Sequence, residues 1–110
     1  MTVANLQDVL KADRAIAGLV VLGWEDARAF VEAAEETGIP IILQAGQGAR
    51  KYTPVPILGK MFRHLAEQAR VPIVCHIDHA TTLNECVEGI ESGFTSVMID
   101  GSNLPSAITS

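Results

Sequence analysis

The chain has 110 residues, with eight Lys and Arg against thirteen Asp and Glu, for a formal net charge of -5. That is the length of one ordinary domain, and 48% hydrophobic with 19% charged content fits a packed core rather than a disordered chain. The acidic balance and scattered basic residues argue against a nucleic-acid or anionic-membrane surface, since both want clustered Lys and Arg.

Residues 3–14 carry Val3, Leu6, Val9 and Leu10 at helical spacing and predict a first amphipathic helix. Residues 15–22 are apolar on both faces, which suits a strand covered on both sides as in parallel sheets. Residues 24–37 predict a helix with Ala27, Phe30, Val31 and Ala34 on one side. Gly38 sits where a helix C-terminus wants positive φ, and Pro40 follows. A second strand is predicted at 39–44, a Gly-rich loop at 45–56 and a second helix at 57–70 with Leu58, Met61, Phe62, Leu65 and Ala69 inward. A third strand follows at 71–77, a third helix at 82–92 ended by Gly93, and a fourth strand at 95–99.

Strands alternating with helices at this spacing predict βαβ units and a parallel α/β sheet. Four strands suit either a small open α/β domain or half of an eight-stranded barrel. A complete barrel needs about 200 residues or more, so periodicity leaves the choice open. Cys75 lies in an apolar run and Cys86 in a helical pattern, so both read as free, buried thiols of a reducing compartment. No run reaches the length of a membrane span, and the N-terminus lacks a charged and then apolar leader. The expected location is cytoplasmic.

The polar residues stand where a site forms in parallel sheets, at the carboxyl ends of strands. Gln44 closes the second strand, His76, Asp78 and His79 the third, and Asp100 the fourth. Alternation places His76 and Asp78 on one face, with His79 on the turn leaving the sheet. A carboxylate beside imidazoles can ligate a metal, move a proton or orient a ring. It can equally accept backbone N–H bonds in a turn, a role open to both Asp78 and Asp100, and two histidines fall short of a zinc shell. Gly46-Gln47-Gly48 offers backbone amides to a phosphate but lacks the spacing and Lys of known phosphate loops, so a plain flexible loop is at least as good a reading. His64 reads as a surface residue, Trp24 as a packing residue at the start of its helix, and residues 32–36 as a solvated face.

Three stretches carry a resemblance. Val71-Pro72-Ile73-Val74-Cys75-His76-Ile77-Asp78-His79-Ala80 resembles the V-P-[apolar]-x-x-H-x-D-H-[GA] signature of metal-dependent (class II) ketose-bisphosphate aldolases. Gly93 to Pro105 is similar to that family's G-F-T-S-V-M-[IF]-D-[GA]-S-x-L-P, and Pro40 to Tyr52 to its P-x-I-L-Q-x-S-x-G-A-x-K-Y. The match covers nearly the whole chain and is closest to the fructose- and tagatose-bisphosphate branch.

The resemblance implies a TIM (β/α)8 barrel of which this chain holds about the first four strands. It implies a divalent metal, usually Zn2+, and reversible cleavage of a ketose 1,6-bisphosphate to dihydroxyacetone phosphate and an aldehyde. By position, His79 is a metal ligand and Asp100 lies near an alternative metal position. Asp78 is the acid–base residue at the C4 oxygen, His76 supports it, and Gln44 and Gly46 fall in the substrate-binding stretch. The family's other metal ligands fall beyond residue 110, so this chain alone is expected to be inactive. The expected partners are a sugar phosphate and either another copy or the missing barrel half; no nucleic acid or membrane is expected. Val21 stands where many relatives have Asn, and Gly46 where they often have Ser. Two alternatives therefore stay open: a barrel aldolase with another substrate, and a non-catalytic subunit.

Overall fold

The hydrophobic pattern is answered by a sheet with helices on one face. The computed structural model of the chain describes residues 3–4 and 16–99. In order these form Val3–Ala4 (β1), Ala17–Val21 (β2), Trp24–Thr37 (α1), Ile41–Ala45 (β3), Gln47–Tyr52 (α2), Val55–Gln68 (α3), Ile73–Ala80 (β4), Leu83–Ser92 (α4) and Ser96–Ile99 (β5). Strands β2, β3, β4 and β5 lie side by side in chain order, and every pair is parallel. Parallel neighbours need a crossover, and α1, α3 and α4 supply the three.

Alternation divides the sheet. Leu19, Val21, Ile41, Leu43, Ala45, Ile73, Cys75 and Ile77 form one cluster with Ala27, Val31 and Ala34 of α1, Leu58, Phe62 and Leu65 of α3, and Cys86 of α4. The other face holds a small separate cluster of Val74 with Ile16 and Ile42. A doubly wound sheet would bury both faces under helices and reverse its strand order at a switch point. Strands in chain order with one helix-covered face are instead the arrangement of the first part of a (β/α)8 barrel. The first strand was expected to be covered on both sides. Val20, on the face away from the helices, is 56% exposed, whereas Val21 is wholly buried under them.

The ends of the elements follow local chemistry. Gly38, at φ 70, donates its N–H to the carbonyl of Ala34 and closes α1 as expected. Asp26 accepts from the N–H groups of Leu22 and Gly23 and so fixes the turn from β2 into α1. α3 begins at Val55, two residues before the expected start, because Pro56 is tolerated in a first turn whose N–H groups have no helical partner. Phe62 of α3 packs on Phe94, with ring centroids 5.2 Å apart. Both cysteines are free and buried, and burial pushes the Cys75 thiol up to about 12. No helix among the described residues is long and apolar enough to cross a membrane.

The helix predicted over 3–14 does not begin at its start: Val3–Ala4 is a strand, paired in parallel with Ile73 and Val74. β5 pairs with β4 only from His76 onward, so the backbone groups of Ile73 and Val74 on that edge are available, and pairing them outweighs helical periodicity. Residues 5–14 lie outside the described residues. The loop predicted over 45–56 contains α2, whose Ala49 is buried. Its two glycines disguise a turn of helix held by side-chain contacts to β4.

Gly59 of α3 lies against Ser92 of α4, where an added Cβ would collide with the Ser92 carbonyl. The obstacle is backbone and cannot rotate away. Gly59→Ala is therefore expected to lower stability by about 1–3 kcal/mol in urea unfolding, despite the better helix propensity of Ala. A neutral or stabilising result would show that α3 and α4 separate freely.

Candidate functional site

A break in alternation builds the site. Ile77 pairs with Val97 and Ala80 with Ile99, so β4 spends one residue more than β5 over this interval. Such a bulge is common beside active sites, where it re-aims a side chain. In a regular strand His79 would follow Cys75 and Ile77 to the helix-covered face. Instead His79 takes φ 54, its side chain is 59% exposed, and Ala80 returns to the helix-side core. A positive φ is uncommon for a residue with a Cβ. His79 had been expected on the turn after the strand; it lies within β4, at the bulge.

Asp78 stands between the two imidazoles. Its Oδ2 is 3.3 Å from His79 Nε2 and its Oδ1 is 3.6 Å from His76 Nε2, and its side chain is only 20% exposed. His76 is more deeply set, and its Nδ1 lies 2.7 Å from the hydroxyl of buried Ser96. Nε2 faces Asp78, and the ring nitrogen that carries the proton follows from whether the Ser96 hydroxyl donates to Nδ1 or accepts from it. At 3.6 Å the His76–Asp78 contact is too long for a formed hydrogen bond. Burial holds the His76 imidazole below the ordinary histidine value, although the Asp78 charge pulls it upward. His76 is therefore a neutral support at physiological pH rather than half of an ion pair.

The register places Val20, Gln44, His76 and Ser96 in one row across four strands. Gln44 thus shares the face of His76, but its amide turns back toward β2. A Cβ on Gly18 would come within 2.5 Å of Gln44 Nε2, so the glycine leaves room for that side chain. Gly46 directly follows β3, and space for a side chain there is open. Val21 faces the helices. Asp100 lies outside the described residues.

Several residues that shape the site were not singled out from sequence. Arg50 of α2 donates from Nη1 to the carbonyls of Ala45 and Asp78, both at 2.7 Å, and from Nη2 to His79 at 2.9 Å. Its Nε donates to Glu85 at 3.2 Å, and Gln47 adds a second donor to the His79 carbonyl. Glu85 also accepts from the N–H and hydroxyl of Thr81, while its own N–H is capped by Thr82. Burial opposes ionisation of Glu85, but the Thr81 hydrogen bonds and Arg50 outweigh it and hold the carboxyl below its usual range. The Thr82-x-x-Glu85 spacing was a readable capping signal; nothing local announced that Arg50 would reach β4.

For a metal, these residues fit in part. An exposed imidazole beside a carboxylate supplies one corner of a coordination shell, whereas His76 is buried with its Nδ1 against Ser96. Among the described residues no three His, Cys, Asp or Glu side chains converge as a shell.

A parallel sheet wound in one direction, with a carboxylate and two imidazoles at its carboxyl rim, defines the class as the opening part of a (β/α)8 barrel. The chain belongs to the class-II fructose-bisphosphate aldolase family, whose pattern it matches over residues 2–108. The fructose-bisphosphate aldolase of Treponema pallidum is 48% identical over 86 residues, which is 74% of this chain and 26% of that protein. The Helicobacter pylori J99 enzyme of the same name is 33% identical over 107 residues, or 94% of this chain and 35% of that one. The crystal structure of the YdjI aldolase from Escherichia coli K12 superposes with a TM-score of 0.82 at 28% identity, over 92% of this chain and 41% of that chain. The chain thus spans about a quarter to a third of the curated relatives it matches.

The state of His76 has a consequence for pH. The unfolded chain takes up this proton near the ordinary value of 6.5, and the folded site does so only at lower pH. Stability from this group is therefore complete above about 6.5 and falls as the pH drops from there into the folded range. An NMR titration should show His76 neutral at pH 7 and protonating below the ordinary value; protonation at or above it would contradict the assignment.

Proposed function

We propose that this chain supplies the acid–base carboxylate and one metal-holding imidazole of an aldolase that reversibly cleaves a ketose 1,6-bisphosphate of fructose or tagatose type. The products are dihydroxyacetone phosphate and an aldehyde. The observation that carries the reading is the placement of Asp78: a partly sheltered carboxylate at the carboxyl rim, between a neutral buried imidazole and an exposed one.

In the cleavage direction the Asp78 carboxylate takes the proton from the C4 hydroxyl as the C3–C4 bond breaks. In condensation it returns that proton to the nascent C4 oxygen. His79 would hold the divalent metal, expected to be zinc, with Asp100 near an alternative position. When bound, the metal supplies electrostatic stabilisation of the negative charge left on the three-carbon unit, without a Schiff-base lysine. His76 stands beside Asp78 as a neutral support rather than a ligand. Gln44 and Gly46 line the substrate side of the rim. The open space at Gly46 favours one variation on this reading, an aldolase whose phosphate-bearing substrate fills the room a larger residue would occupy.

In the intact protein, Asp78→Asn should lower kcat for fructose or tagatose 1,6-bisphosphate cleavage by about 10²–10⁴-fold with a much smaller change in KM. His79→Ala should lose bound metal as well as activity. Triose phosphate release in a coupled assay, with metal analysis alongside, decides; absence of cleavage of either sugar by the intact protein rejects the reading.

The site also needs the rest of a ring. The outer edges of β2 and β5 have no strand partner among the described residues, and Val20 and Leu22 are exposed beside one of them. Residues 1–110 by themselves are expected to pair, with another copy or with the other part of a barrel, because open edges and uncovered apolar residues favour association. Sedimentation at low micromolar concentration should show dimers or larger species. A cooperatively folded monomer would contradict this.

A further inference from the structure

The main chain of Asp78 and His79 is held by a side chain that takes no part in the proposed chemistry. The side chain of Arg50 is only 6% exposed, and three of its hydrogen bonds end on main-chain carbonyls: Ala45 at the end of β3, then Asp78 and His79 on the bulge of β4. Its remaining bond, to Glu85, anchors the guanidinium to the first turn of α4. The planar fork of Arg suits this task, because several fixed donors leave one group in set directions and a Lys offers only a compact point charge. Gln47, one turn earlier on α2, gives the His79 carbonyl a second donor.

The conformation so held is not one that the backbone adopts freely. His79 sits at φ 54, and the extra residue beside it breaks the ladder to β5. Without donors at the Asp78 and His79 carbonyls, β4 has less to oppose a return to regular alternation. That return would carry His79 toward the helix-covered face, on the opposite side of the sheet from Asp78.

We infer that Arg50 is the positioning residue of this site: its guanidinium clamps the carbonyls of Ala45, Asp78 and His79 so that the bulge presents the Asp78 carboxylate and the His79 imidazole together. The role rests on the aldolase reading for its effect on catalysis, but the clamp itself is a property of the backbone and can be tested without turnover. Arg50 touches neither reacting atom, so its loss should act on the turnover of bound substrate rather than on binding.

The test compares Arg50→Lys with the parent in the intact protein by amide hydrogen exchange and by steady-state cleavage of fructose 1,6-bisphosphate. Exchange over residues 78–81 should quicken about tenfold or more, as expected for the loss of at least one well-made hydrogen bond, while exchange over 58–66 in α3 stays unchanged. On the same variant kcat should fall about 10²-fold with KM within about twofold, the signature of misplaced groups rather than lost binding. Gln47→Ala, which removes one donor and keeps the Arg50–Glu85 pair, should shift both readouts less and in the same direction. Unchanged exchange over 78–81 in a folded Arg50→Lys protein overturns the clamp, as does unchanged exchange in Gln47→Ala beside an Arg50→Lys that fails to fold. Full kcat in a variant whose exchange has quickened overturns the positioning role. If the parent protein cleaves no ketose bisphosphate while Arg50→Lys still loosens 78–81, the clamp stands and the aldolase reading alone fails.

Discussion

Strand residues point alternately to opposite faces, and in this chain one of those faces is already taken. Helices α1, α3 and α4 cover the side lined by Leu43, Ile73, Cys75 and Ile77, where apolar burial supplies most of the favourable free energy. A polar side chain on that side would need buried partners to offset its desolvation. Gln44, His76 and Ser96 therefore share the opposite face, and register aligns them in one row. Where a polar group in that row is enclosed, it has a partner: the buried Ser96 hydroxyl meets His76 Nδ1.

The bulge is the single departure that gives this face its chemistry. Strict alternation separates neighbours in sequence by the thickness of the sheet, so Asp78 and His79 could not act together on a regular strand. One extra residue, taken up with His79 in the left-handed region, brings the two side chains within 3.3 Å of each other. Ala80 then resumes its place in the core, so the disturbance stays local. Local strain of this kind persists only where the surroundings over-determine it.

Those surroundings are polar rather than apolar. α2 is too short to be stable from its own backbone bonds, and it buries little beyond Ala49. Its hold on the rim comes from Arg50 and Gln47, and Arg50 in turn depends on Glu85, which also closes the first turn of α4. Three elements thus meet at one ion pair. Its shielding from water matters: exposed pairs such as Arg28–Glu32 contribute little, whereas a sheltered guanidinium with each bond directed holds its geometry.

Much of this was legible in the residues alone. Periodicity marked the three long helices and four of the strands, because patterns of 3.6 and 2 are imposed by burial and need no knowledge of distant contacts. Gly38 announced the end of α1 for an equally local reason, its tolerance of positive φ. The alignment of Gln44, Asp78 and His79 at strand ends was readable in the same way, and the matched stretches named the family. What the sequence left open was decided by contacts across it. Whether helices cover one face or two depends on how βαβ units stack, which no single segment encodes. The strand at Val3–Ala4 exists because Ile73 and Val74 leave an edge to pair. α2 reads as loop until Arg50 finds carbonyls nearly thirty positions away, and the bulge at His79 is invisible in a run that alternates acceptably without it. Local pattern determined which residues are strands, helices and rim; only the packed chain decided that Asp78 and His79 would face the same way, because that needed donors from a different element.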